Sequence, residues 1–125
     1  MSNLQRAQIY RENYAEWKKE ALLNSGFFPV FQIFKEEKLL SELSGNAVKL
    51  YIYLGLQSGN LTGECWPTIE TLSKYFKKTP RTISSWLEEL EEKNLIRRLQ
   101  FKPNDVSHTF LLPYGVNRLK EDKGE

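Results

Sequence analysis

The most constraining feature of this sequence is a pair of amphipathic helical segments that only a few residues separate. Thr68 is suited to cap the first segment, which runs to about residue 76. Thr79 and Pro80 begin the second, because threonine supplies a capping oxygen and proline loses nothing at a first helical position, where the amide has no helical partner. The spacing therefore predicts two helices joined by a tight turn.

The second helix is predicted over residues 80–93 and has two distinct faces. Its apolar residues recur at helical spacing and predict the buried face: Ile83, Trp86, Leu87 and Leu90. Because positions i, i+3, i+4 and i+7 lie on one side of a helix, four polar residues are expected to point outward: Arg81, Ser84, Ser85 and Glu88. The N-terminal end of this polar face is therefore available to a partner.

Positive charge is concentrated at the same end. Residues 74–81 contain four cations and no acid: Lys74, Lys77, Lys78 and Arg81. A helix N-terminus adds partial positive charge, so phosphate is attracted by both. The candidates for contact with base edges are Arg81, Ser84 and Ser85, and those for the phosphate backbone are Lys77, Lys78, Thr79 and Thr82. Lys74 is a further DNA-binding candidate. The alternative is that the lysines form a solvated turn that contacts nothing.

The other half of this helix is acidic. Its four glutamates are interpreted as a solvated face that repels phosphate: Glu88, Glu89, Glu91 and Glu92. After Asn94, a plausible left-handed terminator, residues 97–102 and 107–112 predict two strands joined by a turn at 103–106. Arg97, Arg98 and Lys102 would allow this hairpin to contact DNA, although cations on an exposed strand also protect a sheet edge.

An N-terminal helix is predicted over residues 3–24, before Gly26. Its apolar residues alternate at spacings of three and four, and Tyr10, Tyr14 and Trp17 form the candidate partner surface. The stripe either docks on its own domain, which is the simpler expectation, or pairs with a second copy or another protein. Residues 27–34 are apolar and rich in strand formers, with Pro29 suited to an edge, and are expected to be covered.

Two further elements complete the predicted order. Ser44 is suited to cap a central helix that runs to about residue 58, and residues 65–67 predict a very short strand. The polar tail over residues 115–125 is expected to fray. The predicted order is helix, short strand, helix, tight turn, helix and hairpin, which is the plan of a winged helix-turn-helix.

Three segments resemble a known family: CWPTIETL at residues 65–72, TPRTISSWLEEL at 79–90 and NLI at 94–96. They are similar to the winged helix-turn-helix family of replication-initiator-like and regulatory proteins from bacterial plasmids, phages and mobile elements. Lys74 and Asn94 depart from the family pattern, which has a small residue and a glycine there. The resemblance covers roughly residues 44–112 and implies DNA binding in replication or its control, with transcriptional regulation as an alternative.

The fold class expected is therefore mainly α with a small β-hairpin wing, preceded by an N-terminal helical extension. The predicted organisation is an N-terminal amphipathic helix over residues 1–26, a winged helix-turn-helix domain over 27–114 and a flexible tail over 115–125. Duplex DNA is the favoured partner. The rival is a single-stranded-DNA-binding or protein-docking subunit of a replication complex, with exposed rings among Trp66, Tyr75, Phe101, Phe110 and Tyr114.

Composition excludes several other classes. The net charge is only +2, from 18 basic and 16 acidic residues, so any nucleic-acid binding must come from local patches. One cysteine and one histidine cannot build a four-ligand zinc site, and no metal or cofactor is expected. An enzyme is not expected either, because neither His108 nor Cys65 has a catalytic neighbour in the sequence. Without a long apolar stretch or secretory signal, the chain is expected to be cytoplasmic, with no membrane partner.

Overall fold

A computed structural model describes residues 1–115 of the chain. The prediction for the tail falls, apart from Gly115, outside these residues. The described elements are α1 (Asn3–Asn24), α2 (Ile33–Glu36), α3 (Leu39–Glu42), α4 (Gly45–Gln57), β1 (Glu64–Cys65), α5 (Ile69–Phe76), α6 (Pro80–Glu92), β2 (Ile96–Gln100) and β3 (Ser107–Leu111). The predicted fold class, mainly helical with a small wing and an N-terminal helix, is confirmed.

The core lies where α4 and α5 pack on α6. The apolar residues predicted for the inner face of α6 are all buried, and Leu50 and Leu54 of α4 are fully buried. Asn94 has a positive φ of 57°, as predicted, and the turn it makes brings Leu95 and Ile96 into the core. Each fully buried Leu or Ile contributes roughly 1.5–3 kcal/mol, so this seam fixes how α6 is oriented.

The sheet is antiparallel, with strand order β1-β3-β2. Thr109 of β3 is buried and lies opposite both Cys65 and Arg98, so these three residues share the inner face. Phe110 lies opposite Glu64 and Arg97 on the other face. The predicted hairpin is therefore confirmed, and β1 makes it a three-stranded wing.

The prediction that α1 docks on its own domain is wrong. None of its 22 residues is buried, and Tyr10, Tyr14 and Trp17 are 67%, 51% and 63% exposed. The surface of α4 is instead covered by the segment that follows α1, because Phe34 stacks on Tyr51. The helix itself forms as predicted, with Ser2 as its N-cap.

The interpretation of residues 27–34 as a strand is also wrong. The segment is irregular until α2 begins at Ile33. Its ring side chains pack on α4, and the amide of Phe31 donates to the hydroxyl of Tyr114 at 3.1 Å. Phe34 is buried, and Phe28 meets the edge of Tyr51 with ring centroids 5.5 Å apart. The expected covering is partial, because three large apolar residues of the segment remain exposed: Phe27, Val30 and Phe31.

Candidate nucleic-acid interface

The turn between α5 and α6 is fixed by backbone hydrogen bonds. Lys77 adopts the left-handed conformation, with φ of 57°, and its amide donates to the carbonyl of Ser73. The amide of Lys78 donates to the same carbonyl at 3.1 Å, and the Ser73 hydroxyl donates to the carbonyl of Lys78. Both lysine side chains are exposed, so the turn presents two cations from a defined backbone.

The first turn of α6 is capped as predicted. The Thr79 hydroxyl oxygen accepts from the amide of Thr82 at 3.2 Å, and its proton is donated to the Thr82 hydroxyl at 3.1 Å. Thr79 is thus engaged in capping, whereas the hydroxyl proton of Thr82 remains available to an acceptor. The amide of Arg81 lies in the first turn, where no partner exists within the helix.

The structure brings most of the predicted contact residues to this end of α6. Lys77, Lys78, Arg81 and Ser85 are exposed, while Thr82 and Ser84 are half-buried. Lys74 is exposed as well, but its Nζ lies 3.6 Å from the Glu70 carboxylate one helical turn away. Its charge is therefore partly neutralised before any ligand arrives.

The opposite half of α6 is anchored to other elements, which corrects the interpretation of its glutamates as a solvated face. Glu89 is half-buried, and its two carboxylate oxygens accept from the Ser44 amide at 2.7 Å and the Ser44 hydroxyl at 2.8 Å. It therefore caps α4, where a negative charge is favourable. Lys93 also forms an ion pair with Glu42 at 3.1 Å. Among the four glutamates, Glu88 and Glu92 are exposed.

The three cations predicted for DNA contact by the wing lie in different places on it. Arg98 points to the inner face, where its Nε donates to Thr109 at 3.4 Å. Burial lowers the pKa of Arg98, and Glu91 opposes that shift. Arg97 is half-buried on the outer face, and Lys102 is exposed in the loop after β2. The wing therefore offers Lys102 and Arg97 outward but not Arg98.

Aromatic side chains form a second exposed surface, on the outer face of the sheet. Phe101 stacks on His108 with ring centroids 4.1 Å apart, and Trp66 lies 5.6 Å from the same ring. Trp66 and Phe101 are each 60% exposed. Of the other rings considered, Tyr75 is exposed on α5, whereas Phe110 and Tyr114 are half-buried.

Sequence inspection missed Glu64 at this surface. Its carboxylate lies 2.6 Å from Nδ1 of His108, a contact across 44 residues that only the pairing of β1 with β3 creates. Cys65, the next residue, is buried on the other face, and desolvation raises the pKa of its thiol. Within residues 1–115, no three side chains of the metal-binding types lie close enough to hold an ion.

Together, α4, β1, α5, α6, β2 and β3 have the arrangement of a winged helix-turn-helix. In DNA-binding proteins with this motif, the second helix of the closely joined pair enters the major groove. A protein-family comparison agrees: residues 41–96, a little under half of the chain, match the family described as "Helix-turn-helix domain". DNA binding is what such a domain implies. Neither the curated proteins nor the solved structures contain a match. No helix in the described part of the chain is long and apolar enough to span a membrane.

Proposed function

We propose that this protein binds duplex DNA by inserting the N-terminal half of α6 into the major groove. The observation that supports this most directly is the asymmetry of α6. Its C-terminal half is fixed to α4 and α3 by Glu89 and Lys93, while Arg81 and Ser85 stay exposed at the cationic end. A rigidly held helix with a free, positive tip is the geometry that groove recognition requires.

Each exposed group at this tip has a chemistry suited to DNA. Lys77 and Lys78 are point charges on a fixed turn and suit phosphate oxygens, as does the hydroxyl proton of Thr82. Arg81 has a planar fork that can donate twice to a guanine edge, and Ser85 lies one helical turn further along. The Lys102 and Arg97 side chains of the wing are proposed as additional phosphate contacts.

We further propose that this DNA binding serves replication, or its control, on a bacterial mobile element. The support is the resemblance of residues 65–72, 79–90 and 94–96 to the replication-initiator-like family. Transcriptional regulation is the alternative, since the same residues are capping and core positions that both classes need.

The electrostatic part of the proposal is tested by the salt dependence of binding to a duplex of random sequence. Lys77→Gln together with Lys78→Gln should weaken binding and flatten the log-log dependence on salt by about two units, because each phosphate contact releases a counterion. Fluorescence anisotropy of labelled duplex across a range of salt concentrations measures both quantities.

The matched control changes Lys35 and Lys38 to Gln. Both are exposed, so the change removes the same charge as the Lys77/Lys78 variant. Lys38, like Lys77, has a left-handed backbone, with φ of 65°. The control should bind like the parent. Equal slopes for the parent and the Lys77/Lys78 variant would contradict the proposal.

Single-stranded DNA binding is the second candidate, and the exposed Trp66 and Phe101 rings beside His108 favour it. Bases stack on exposed aromatic rings, with roughly 1–3 kcal/mol lost per ring removed. Phe101→Ala should then weaken binding to a single strand and leave duplex binding unchanged. Phe27→Ala is the control, because Phe27 is equally exposed but lies in the segment that follows α1. A parent that prefers duplex, with no loss for either variant, would exclude this candidate.

A further inference from the structure

The stripe along α1 is a large apolar surface that has no role in the proposed DNA binding. With Ala7 as position a of a heptad, the stripe occupies every a and d position from there to Ala21: Ala7, Tyr10, Tyr14, Trp17 and Ala21. The three aromatic side chains are exposed, and Tyr14 and Trp17 meet edge to face with centroids 5.6 Å apart. Tyr10 lies one helical turn before this pair, on a helix about 33 Å long at 1.5 Å per residue.

We propose that α1 pairs with α1 of a second copy of this chain in an antiparallel, two-fold arrangement. Size complementarity supports this partner. In the antiparallel register that sets position a against position d, Ala7 lies opposite Trp17 of the second copy, and Tyr10 lies opposite its Tyr14. Ala7 of each copy then meets a large residue, these two mixed layers flank two layers of Tyr10 with Tyr14, and Ala21 lies opposite Asn3 at each end. A parallel pair would instead place Trp17 against Trp17 and Ala7 against Ala7.

Charge complementarity supports the same orientation. Arg6 and Glu20 occupy the g positions, and in the antiparallel register Arg6 of each copy lies beside Glu20 of the other. Two attractive pairs result, against one like-charge contact between Arg11 of one copy and Arg11 of the other. In a parallel pair, Arg6 would lie beside Arg11 of the second copy on both sides. The surface is thus complementary to itself in one orientation.

The association is tested by sedimentation equilibrium of the full chain without DNA, so its outcome does not depend on the proposed DNA contacts. The parent should form a reversible dimer. Trp17→Asp should raise the dissociation constant roughly a hundredfold or more, because a central aromatic anchor is lost and a charge is buried. Trp17→Ala should weaken the dimer in the same direction without adding charge.

Ile9→Asp is the matched control. It replaces an exposed apolar residue of the same helix with the same charge, but at position c, outside the stripe. It should dimerise like the parent, and far-ultraviolet circular dichroism should report equal helix content in all variants. A parent that is monomeric at every concentration, or equal dimerisation of Trp17→Asp and the parent, would overturn the proposal.

The orientation is tested by reversing charge. Arg6→Glu should raise the dissociation constant about tenfold, since two attractive pairs become repulsive, and adding Glu20→Arg should restore it. Both changes suit the helix dipole at their own ends of α1, so unwinding of the helix does not explain a loss. A parallel pair would respond to Arg6→Glu in the opposite direction, by binding more tightly, and that result would overturn the antiparallel arrangement.

Discussion

Arg81 is the residue through which we expect α6 to distinguish one DNA sequence from another. It is exposed at the second position of the helix, directly after Pro80, and the first turn holds it close to the capped end. The Thr79 hydroxyl is used in capping, and Arg81 is the only residue of 77–85 whose side chain has a planar fork of donors. The role proposed for Arg81, contact with a base, is therefore separable from that proposed for Lys77 and Lys78, contact with the phosphate backbone.

Arg81→Ala should cost about 1–3 kcal/mol on the preferred site and remove the preference at one base pair, because a bidentate contact to guanine is lost. Selection from a randomised duplex library with the parent and the variant measures this. Arg81→Lys, the control, keeps the charge but not the planar fork, so general affinity should persist while the base preference falls. Identical selected sequences for the parent and Arg81→Ala would contradict this assignment.

Glu89 helps to fix the orientation of α6 relative to α4. Its carboxylate joins the C-terminal half of α6 to the N-cap of α4 through two hydrogen bonds from Ser44. Glu89→Gln removes the charge and one good acceptor, and should lower the free energy of unfolding by roughly 1–2 kcal/mol. Urea denaturation should give a lower midpoint with an unchanged slope.

Glu88→Gln is the control for this change, because it makes the same substitution at the exposed neighbouring position of α6. Its effect should lie within about 0.5 kcal/mol. Equal unfolding midpoints for the two variants would mean that the Ser44 contact does not stabilise the fold.

Because Gly55 has no side chain, the segment after α1 can pack closely on α4 at this position. A Cβ at this position would lie 2.3 Å from ring atoms of Phe28, so the ring would have to move. Gly55→Ala should therefore destabilise the protein by about 1–3 kcal/mol, despite the better helix propensity of alanine. Thermal unfolding measures the change.

Gly45→Ala is the matched substitution at the start of the same helix, where nothing lies within 4 Å of the added atom. It should be neutral or raise stability by up to about 1 kcal/mol. A stabilising Gly55→Ala would show that Phe28 does not pack on α4 as described.

These elements also show what sequence could and could not predict. The starts of α4, α5 and α6 are predictable from local sequence, because each helix is capped by a side-chain oxygen that accepts from the amide three residues further on. The capping residues are Ser44, Thr68 and Thr79. The contact of Glu89 with Ser44 spans 45 residues and has no local signature. The composition of residues 27–34 favours a strand. The segment instead packs on α4, and these contacts between distant residues also have no local signature.

At the level of the whole molecule, the cationic tip of α6, the aromatic face of the sheet and the stripe of α1 are three separate surfaces. The tip was predictable from the periodicity of α6, because a buried seam determines which side chains face outward. The aromatic face was not, since strand pairing brings Trp66 and Phe101 to the same histidine. DNA bound at the tip of α6 and DNA bound at the aromatic face would therefore change the signals of different residues.

Backbone amide chemical shifts of the ¹⁵N-labelled full chain, recorded as a random-sequence duplex is added at low salt, test the central claim most directly. Non-specific binding is strong enough at low salt for this measurement, so no target site is needed. We expect the largest shifts at residues 77–85, with smaller ones around Lys102. Shifts confined to the sheet face around Trp66 and His108, or to α1, with residues 77–85 unchanged, would contradict the assignment of α6 as the DNA-binding helix.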